Sequence, residues 1–331
     1  MRTKAVASAA LLALALTGCG AEIAPRGDGA ATSAHYPVTV DNCGSPVTFK
    51  QKPARVVTND VGITELMFAL GLEDRMAGYV MPDDKGQVDK VAWKDAYQRA
   101  PWLSKKQITK EIALEAKADL VFAGWHYGFD ESSGVTPQAL AGLGIGSYVL
   151  TESCRSGKGT ERGVMSPLHA LYTDLTNLGE IFDVRDRADR LVAGFKAEIA
   201  AVPEPAYRPG VFLYDSGEDK PYTSGRFAAP EEIITKAGGR NVTGDLADSW
   251  TTVGWETVVE RDPEVIVINN YGTPDAEAKR QFLKSFPPLA GVSAVRNDRI
   301  FVLDYVDLVE SPRNPAAVTA LAAYLRTVPA R

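Results

Sequence analysis

The sequence predicts an α/β protein of two Rossmann-like lobes with mainly parallel sheets, joined by one long spine helix. Three observations carry this. From about Arg185 to Ala201, the apolar positions Ala188, Leu191, Val192, Phe195 and Ile199 follow the three-and-four spacing of one buried helical face. On both sides of that stretch, short apolar runs of strand length alternate with helical segments, the pattern of parallel α/β folds. Third, Glu111-Ile-Ala-Leu-Glu115-Ala-Lys-Ala-Asp119-Leu-Val-Phe matches Glu256-Thr-Val-Val-Glu260-Arg-Asp-Pro-Glu264-Val-Ile-Val on the far side of the spine. Each copy is a short helix with two glutamates four apart, then an acid and a buried strand. Such a unit is common in α/β proteins, so chance is the other explanation.

The elements follow in order. Residues 1–18 read as a secretory signal: Arg2 and Lys4, an apolar run from Ala5 to Leu16, then Leu16-Thr17-Gly18-Cys19, a lipobox. The run is too short to span a bilayer. Cleavage before Cys19 leaves that thiol to carry lipid and tether the chain to the outer face of the cytoplasmic membrane. Residues 19–35 are small and polar without periodicity, a flexible tether. Losing Arg2 and Lys4 moves the net charge from −6 to −8, and an acidic chain without a basic run argues against nucleic acid as partner. Cys43 and Cys154 remain; in an exported chain an even pair suggests one disulfide, two buried free thiols being the other reading.

The first lobe is expected over 36–165. Val38–Val40 and Val47–Phe49 flank a turn; Arg55–Thr58 is a strand, Ile63–Leu70 a helix closed by Gly71, and Met76–Tyr79 a strand. Residues 81–107 read as a long loop holding Trp93, Tyr97 and Trp102. A helix at Glu111–Ala116 leads into the strand Leu120–Ala123, followed at once by Gly124-Trp125-His126-Tyr127-Gly128-Phe129. A helix near Pro137–Leu143 and the strand Tyr148–Leu150 close this lobe. Linking helices occupy 166–203, with Leu168–Phe182 running into the spine and Pro203 and Pro205 stopping it. The second lobe, 204–331, alternates the strands Val211–Tyr214, Val265–Ile268 and Ile300–Leu303 with helices at Pro230–Ala237, Trp255–Glu260, Asp275–Ser285 and Ala316–Arg326.

Signals for catalysis are missing. There is no Gly-x-Ser-x-Gly, Gly157-Lys158-Gly159-Thr160 lacks the upstream glycine of a phosphate loop, and Gly142-Leu-Gly144-Ile-Gly146 precedes a strand instead of opening a helix. His35, His126 and His169 have no metal-ligand spacing to one another. What stands near strand ends is aromatic: Trp102, Trp125, His126, Tyr127 and Phe129 in the first lobe, Tyr214, Tyr222, Phe227, Trp250 and Tyr271 in the second. Flat side chains there suit a large ligand with apolar faces, and Arg226 and Arg313 could add bidentate contacts to its oxygens. Ordinary packing is the alternative for any one of them.

These residues resemble the substrate-binding lipoproteins of iron–siderophore and cobalamin ABC importers. The most specific stretches are Pro221-Tyr222-Thr223-Ser224-Gly225, Gly238-Gly239-Arg240-Asn241-Val242, Trp250-Thr-Thr-Val-Gly-Trp255-Glu256 and Pro312-Arg313-Asn314. Asp41-Asn42-Cys43-Gly44 and Glu152-Ser153-Cys154 are similar to actinobacterial-type members, in which the two cysteines pair. The resemblance implies that Glu111 and Glu256 dock into arginine pockets of a permease; from the residues alone they are simply acids favourable at a helix N-terminus. It implies a ferric siderophore in the cleft, with Trp125, Tyr222 and Trp250 near positions that enclose the corrin in cobalamin-binding members. His126 with Tyr127 leaves haem open. The expectation is a monomeric binding protein without cofactor, resident metal or catalysis, working with an ABC permease and ATPase. An exported enzyme or sensor using the same cleft is the competing class.

Overall fold

The computed structural model describes residues 35–80, 92–156 and 162–330. The signal, Cys19 and nearly all of the tether lie outside the described residues. A hairpin opens the chain: β1 (Val38–Asn42) pairs antiparallel with β2 (Ser45–Phe49). Cys43 and Gly44 both sit at positive φ (56° and 72°), the two-residue turn whose twist matches the strands.

β3 (Val56–Asn59), α1 (Val61–Ala69), β4 (Met76–Val80), α2 (Lys94–Arg99), β5 (Trp102–Ser104), α3 (Lys110–Glu115), β6 (Leu120–Trp125), β7 (Gly128–Phe129), α4 (Pro137–Ala141) and β8 (Gly146–Val149) follow. They form a parallel sheet in the order β5-β4-β3-β6, with β7 and β8 both on β6. The stretch expected to be one long loop thus contains α2 and the edge strand β5. Tyr97 on α2 is buried there, its ring edge-on to Phe68.

α5 (Pro167–Ile181) and α6 (Arg185–Ala200) link this sheet to the next. Only Ala188 of α6 is fully buried; Leu191, Val192, Phe195 and Ile199 lie half-buried on the core. A Cβ on Gly179 would come 2.6 Å from the Ala188 methyl, so the two helices meet closely because glycine stands there.

The second sheet is built from β9 (Gly210–Tyr214), β10 (Tyr222–Ser224), α7 (Ala229–Lys236), β11 (Arg240–Asn241), β12 (Trp250–Thr252), α8 (Trp255–Arg261), β13 (Val265–Asn270), α9 (Ala276–Ser285), α10 (Ser293–Arg296), β14 (Ile300–Asp304), α11 (Tyr305–Leu308) and α12 (Asn314–Leu325). Its order is β11-β9-β13-β14, all parallel, while β10 and β12 pair antiparallel beside it. Both sheets bury both faces, which is why Leu120–Ala123, Val211–Tyr214 and Val265–Ile268 are apolar without alternation. One core runs continuously from Val56 and Phe122 through Leu171 and Leu175 of α5 to Leu213 and Val267; separate cores cover the outer faces, around Val57 and Val121 and around Phe212 and Ile266.

Candidate functional site

The C-terminal ends of the parallel strands in both sheets converge on one cavity of about 150 Å³. Ligands meet open α/β sheets at such ends. Asp60 follows β3, His126 and Tyr127 follow β6, Asp215 follows β9, Tyr271 follows β13 and Tyr305 follows β14; all six line the cavity. Gln107, from the loop before α3, is oriented by Asn59, whose Nδ2 donates to Gln107 Oε1 at 2.8 Å.

The aromatic walls come in stacked pairs. Tyr271 and Tyr305 stack with centroids 4.3 Å apart, and Tyr222 and Trp250, on the paired strands β10 and β12, at 5.9 Å. Arg162 reaches in from the linking segment, its Nη2 donating to the Trp250 carbonyl at 2.9 Å and its backbone N–H to Asp248 at 3.3 Å. The Trp250 Nε1–H is buried and has no acceptor among the described residues. Tyr127 is buried in the wall, and burial with nearby Glu152 pushes its phenol well above the ordinary range. His126, on the rim at φ 66°, has its pKa lowered by partial burial and by Arg162 and Arg155.

Asp60 caps α1, its Oδ1 accepting from Gly62 N–H at 3.0 Å, while its Oδ2 accepts from the Tyr305 hydroxyl across the cleft at 2.6 Å. Burial pushes its pKa up to about 6. Asp215 is held by Ser216 Oγ at 2.8 Å and by Asn269 Nδ2, and burial raises its pKa too.

Behind the cavity the halves are tied by two glutamates. Glu152 N–H donates to Glu310 Oε2 at 3.1 Å and Glu310 N–H to Glu152 Oε2 at 3.2 Å. Ser249 Oγ adds a bond to Glu152 at 2.9 Å, and Asp174 of α5 lies against Glu310. Burial pushes Glu152 up to about 7 and Glu310 well above its usual value. A Cβ on Gly62 would fall 2.4 Å from the Glu310 carbonyl, so this approach requires glycine.

Of the residues singled out from sequence, His126, Tyr127, Tyr222, Trp250 and Tyr271 meet in the cavity. Others stand elsewhere. Tyr214 is 1% exposed and packs against Trp255 and Phe282 on the outer face of β9; its neighbour Asp215 is the residue that enters, since strand side chains alternate. Arg313 is engaged with buried Glu65, at 2.7 Å through Nε. Arg226 is exposed and donates to the Asp245 carbonyl at 2.9 Å. Trp102 is 43% exposed on edge strand β5. Trp125 is half-buried beneath Arg155, whose guanidinium lies 3.7 Å from its ring centroid. Phe129 is core, and Phe227 packs against Gly163. Asp60, Gln107, Arg162, Asp215 and Tyr305 were not legible as site residues. Three of them immediately follow apolar strand runs, so the strand-end rule, applied to polar residues as well as aromatic ones, would have found Asp60, Asp215 and Tyr305.

Glu111 and Glu256 are exposed in the first turns of α3 and α8, the helices preceding the corresponding strands β6 and β13. The Thr109 hydroxyl and the backbone at the helix start lower the Glu111 pKa. Cys43 and Cys154 are bonded, joining the hairpin turn to the segment after β8 with Cα atoms 5.3 Å apart. Among the described residues no three His, Cys, Asp or Glu side chains are grouped to hold a metal, and no helix is long and apolar enough to cross a membrane.

Residues 154–306, which supply Arg162 and most of the second lobe's share of this cavity, match the family described as periplasmic binding protein. Over most of its length the chain is similar to substrate-binding proteins of ABC importers. It is 25% identical to the Bacillus subtilis ABC transporter substrate-binding lipoprotein YvrC, itself uncharacterized, over 97% of each chain. A vitamin B12-binding protein of Yersinia pestis is 25% identical over 66% of this chain and 70% of its own. The crystal structure of an ABC-type Fe3+-hydroxamate transport system protein from Saccharomonospora viridis superposes with a TM-score of 0.75 at 25% identity, covering 88% of this chain and 99% of that one. Two parallel α/β sheets joined by helices are the fold this chain shares with that solved structure.

Proposed function

We propose that this binding protein captures a ferric siderophore between its two lobes and delivers it to an ABC permease, held at the membrane by lipid on Cys19. The observation that carries the reading is the cavity itself, which draws aromatic rings and polar groups from the strand ends of both sheets. Its rings offer faces for a bulky chelate, and the Trp250 N–H, without an acceptor among the described residues, offers with Arg162 donors to chelate oxygens. At about 150 Å³ the cavity is smaller than the 300–1,000 Å³ usual for a whole small-molecule ligand, so it takes part of the chelate while the rest lies in the cleft outside it. The Fe3+-hydroxamate and vitamin B12 relatives support this class of cargo. The iron is cargo; the protein has no cofactor of its own. Glu111 and Glu256, exposed at matching places on the two halves, are the permease-docking residues in this reading.

Tryptophan fluorescence titrated with ferric hydroxamates, ferric catecholates, ferric citrate, cobalamin and haemin tests it. Saturable submicromolar quenching by a ferric siderophore, and not by its iron-free form, is expected. Binding of cobalamin or haemin alone would retain the importer role and replace the ligand. No binding by any of them would overturn the assignment of cargo class.

A further inference from the structure

Asp60 is a carboxylate with unmet demand inside an aromatic cavity. It is 7% exposed and forms no ion pair among the described residues; its hydrogen-bond partners are the neutral Tyr305 hydroxyl and backbone N–H groups. The other charges lining the cavity have opposite charges at hand. Asp215 faces the ammonium of Lys279, which is itself bonded to the Asn269 and Tyr271 carbonyls. Arg162 donates to the Trp250 carbonyl and faces Glu152. Glu65, the charged group nearest to Asp60 on its own helix, is taken up by Arg313.

The backbone points the same way. Asp60 has φ 93° and ψ 151°, a region that side-chain-bearing residues rarely adopt and that persists where the surroundings hold it for a purpose. Around it stand the rings of Tyr127, Tyr222, Trp250, Tyr271 and Tyr305, whose π faces attract cations most strongly where water is excluded. A space of about 150 Å³ suits an alkylammonium arm of a few carbons and leaves the bulk of a chelate outside.

We propose that the captured ligand carries a cationic nitrogen, an alkylammonium arm, which enters this cavity and pairs with Asp60 among the tyrosine rings. This rests on the reading of the protein as a chelate carrier and adds what distinguishes its chelate. A cation there satisfies the one carboxylate lining the cavity that has no counter-charge among the described residues. A neutral or anionic arm would leave Asp60 buried without one.

The test uses the purified full chain and two ferric trihydroxamates differing in one group: ferrioxamine B, which ends in a primary ammonium, and its N-acetyl derivative. Tryptophan fluorescence is expected to give ferrioxamine B a dissociation constant roughly tenfold or more below that of the acetylated form. In Asp60→Asn the remaining oxygen accepts from the Gly62 N–H and Nδ2 donates to the Tyr305 hydroxyl oxygen, so it should fold, and it should abolish the difference. Equal binding of the two chelates would overturn the proposal and leave siderophore transport standing. If neither chelate binds, a ferric trihydroxamate is not the cargo. The cavity is then decided by pentylamine against 1-pentanol at millimolar concentration. Quenching by the amine alone, lost in Asp60→Asn, upholds the cation site; no difference between amine and alcohol overturns it.

Discussion

Truncating Arg313 to alanine removes half of a buried ion pair, and the structure fixes the size of the result. The Glu65 side chain has no solvent exposure, and the Arg313 guanidinium meets it through both Nε and Nη2. In the variant Glu65 keeps, among the described residues, only the Tyr97 hydroxyl at 2.9 Å. A carboxylate stranded in this way can stay charged, at a cost of about 3–5 kcal/mol. It can also protonate. From its ordinary pKa of 4.5, protonation at pH 7 spans about 2.5 pH units, or about 3.4 kcal/mol at 1.36 kcal/mol per unit. The cheaper route governs, and since burial already raises Glu65 in the wild type, the expected loss is at most about 3 kcal/mol at pH 7. The folded-state pKa of Glu65 then lies further above its unfolded value, so the penalty is largest at neutral pH and shrinks as pH falls toward 4.5. At pH 5 the same arithmetic leaves about 0.7 kcal/mol, plus a pH-independent part from lost packing. Urea unfolding of wild type and variant at pH 7 and pH 5 measures both values. A loss below about 1 kcal/mol at pH 7, or equal losses at the two pH values, would refute the reasoning. Because Arg313 does not line the cavity, ligand affinity of the folded variant should change no more than about twofold.

Three further outcomes are expected. Glu111→Ala and Glu256→Ala should each leave the urea midpoint and ligand affinity unchanged while abolishing uptake in cells; normal uptake by both variants would remove the docking role. Replacing Cys43 and Cys154 together by serine opens a loop closed over 111 residues and should cost up to about 4–5 kcal/mol, read as a lower urea midpoint under oxidising conditions. Glu152, raised from 4.5 to about 7, should make stability fall as pH rises between those values, because the buried group resists ionising. Glu152→Gln should flatten that slope and raise the urea midpoint at pH 8 relative to pH 5; an unchanged pH dependence would count against the shift.

The α/β class and the matched helix–strand units were legible because they rest on local periodicity. The apolar strands Leu120–Ala123 and Val265–Ile268 and the amphipathic spine need no partner to be recognised. The short pieces β10, β11 and β12 were not, since two or three residues carry no period. Within the site, Tyr271 was found because a ring residue after an apolar strand stands out. Asp60 and Asp215 did not, because an acid after a strand reads equally as a helix cap or a turn.

The sequence by itself determined the longer strands and helices, and that chemistry would gather at strand ends. Only the tertiary structure decided which side of each strand end enters the cleft. Both sheet faces are buried, so apolar character does not separate them, and Tyr214 went outward while Asp215 went in. It also decided the long-range pairs: Arg313 met Glu65 across 248 positions and Tyr305 met Asp60 across 245. No local pattern specifies such contacts, because they depend on how two separately folded sheets are set against one another.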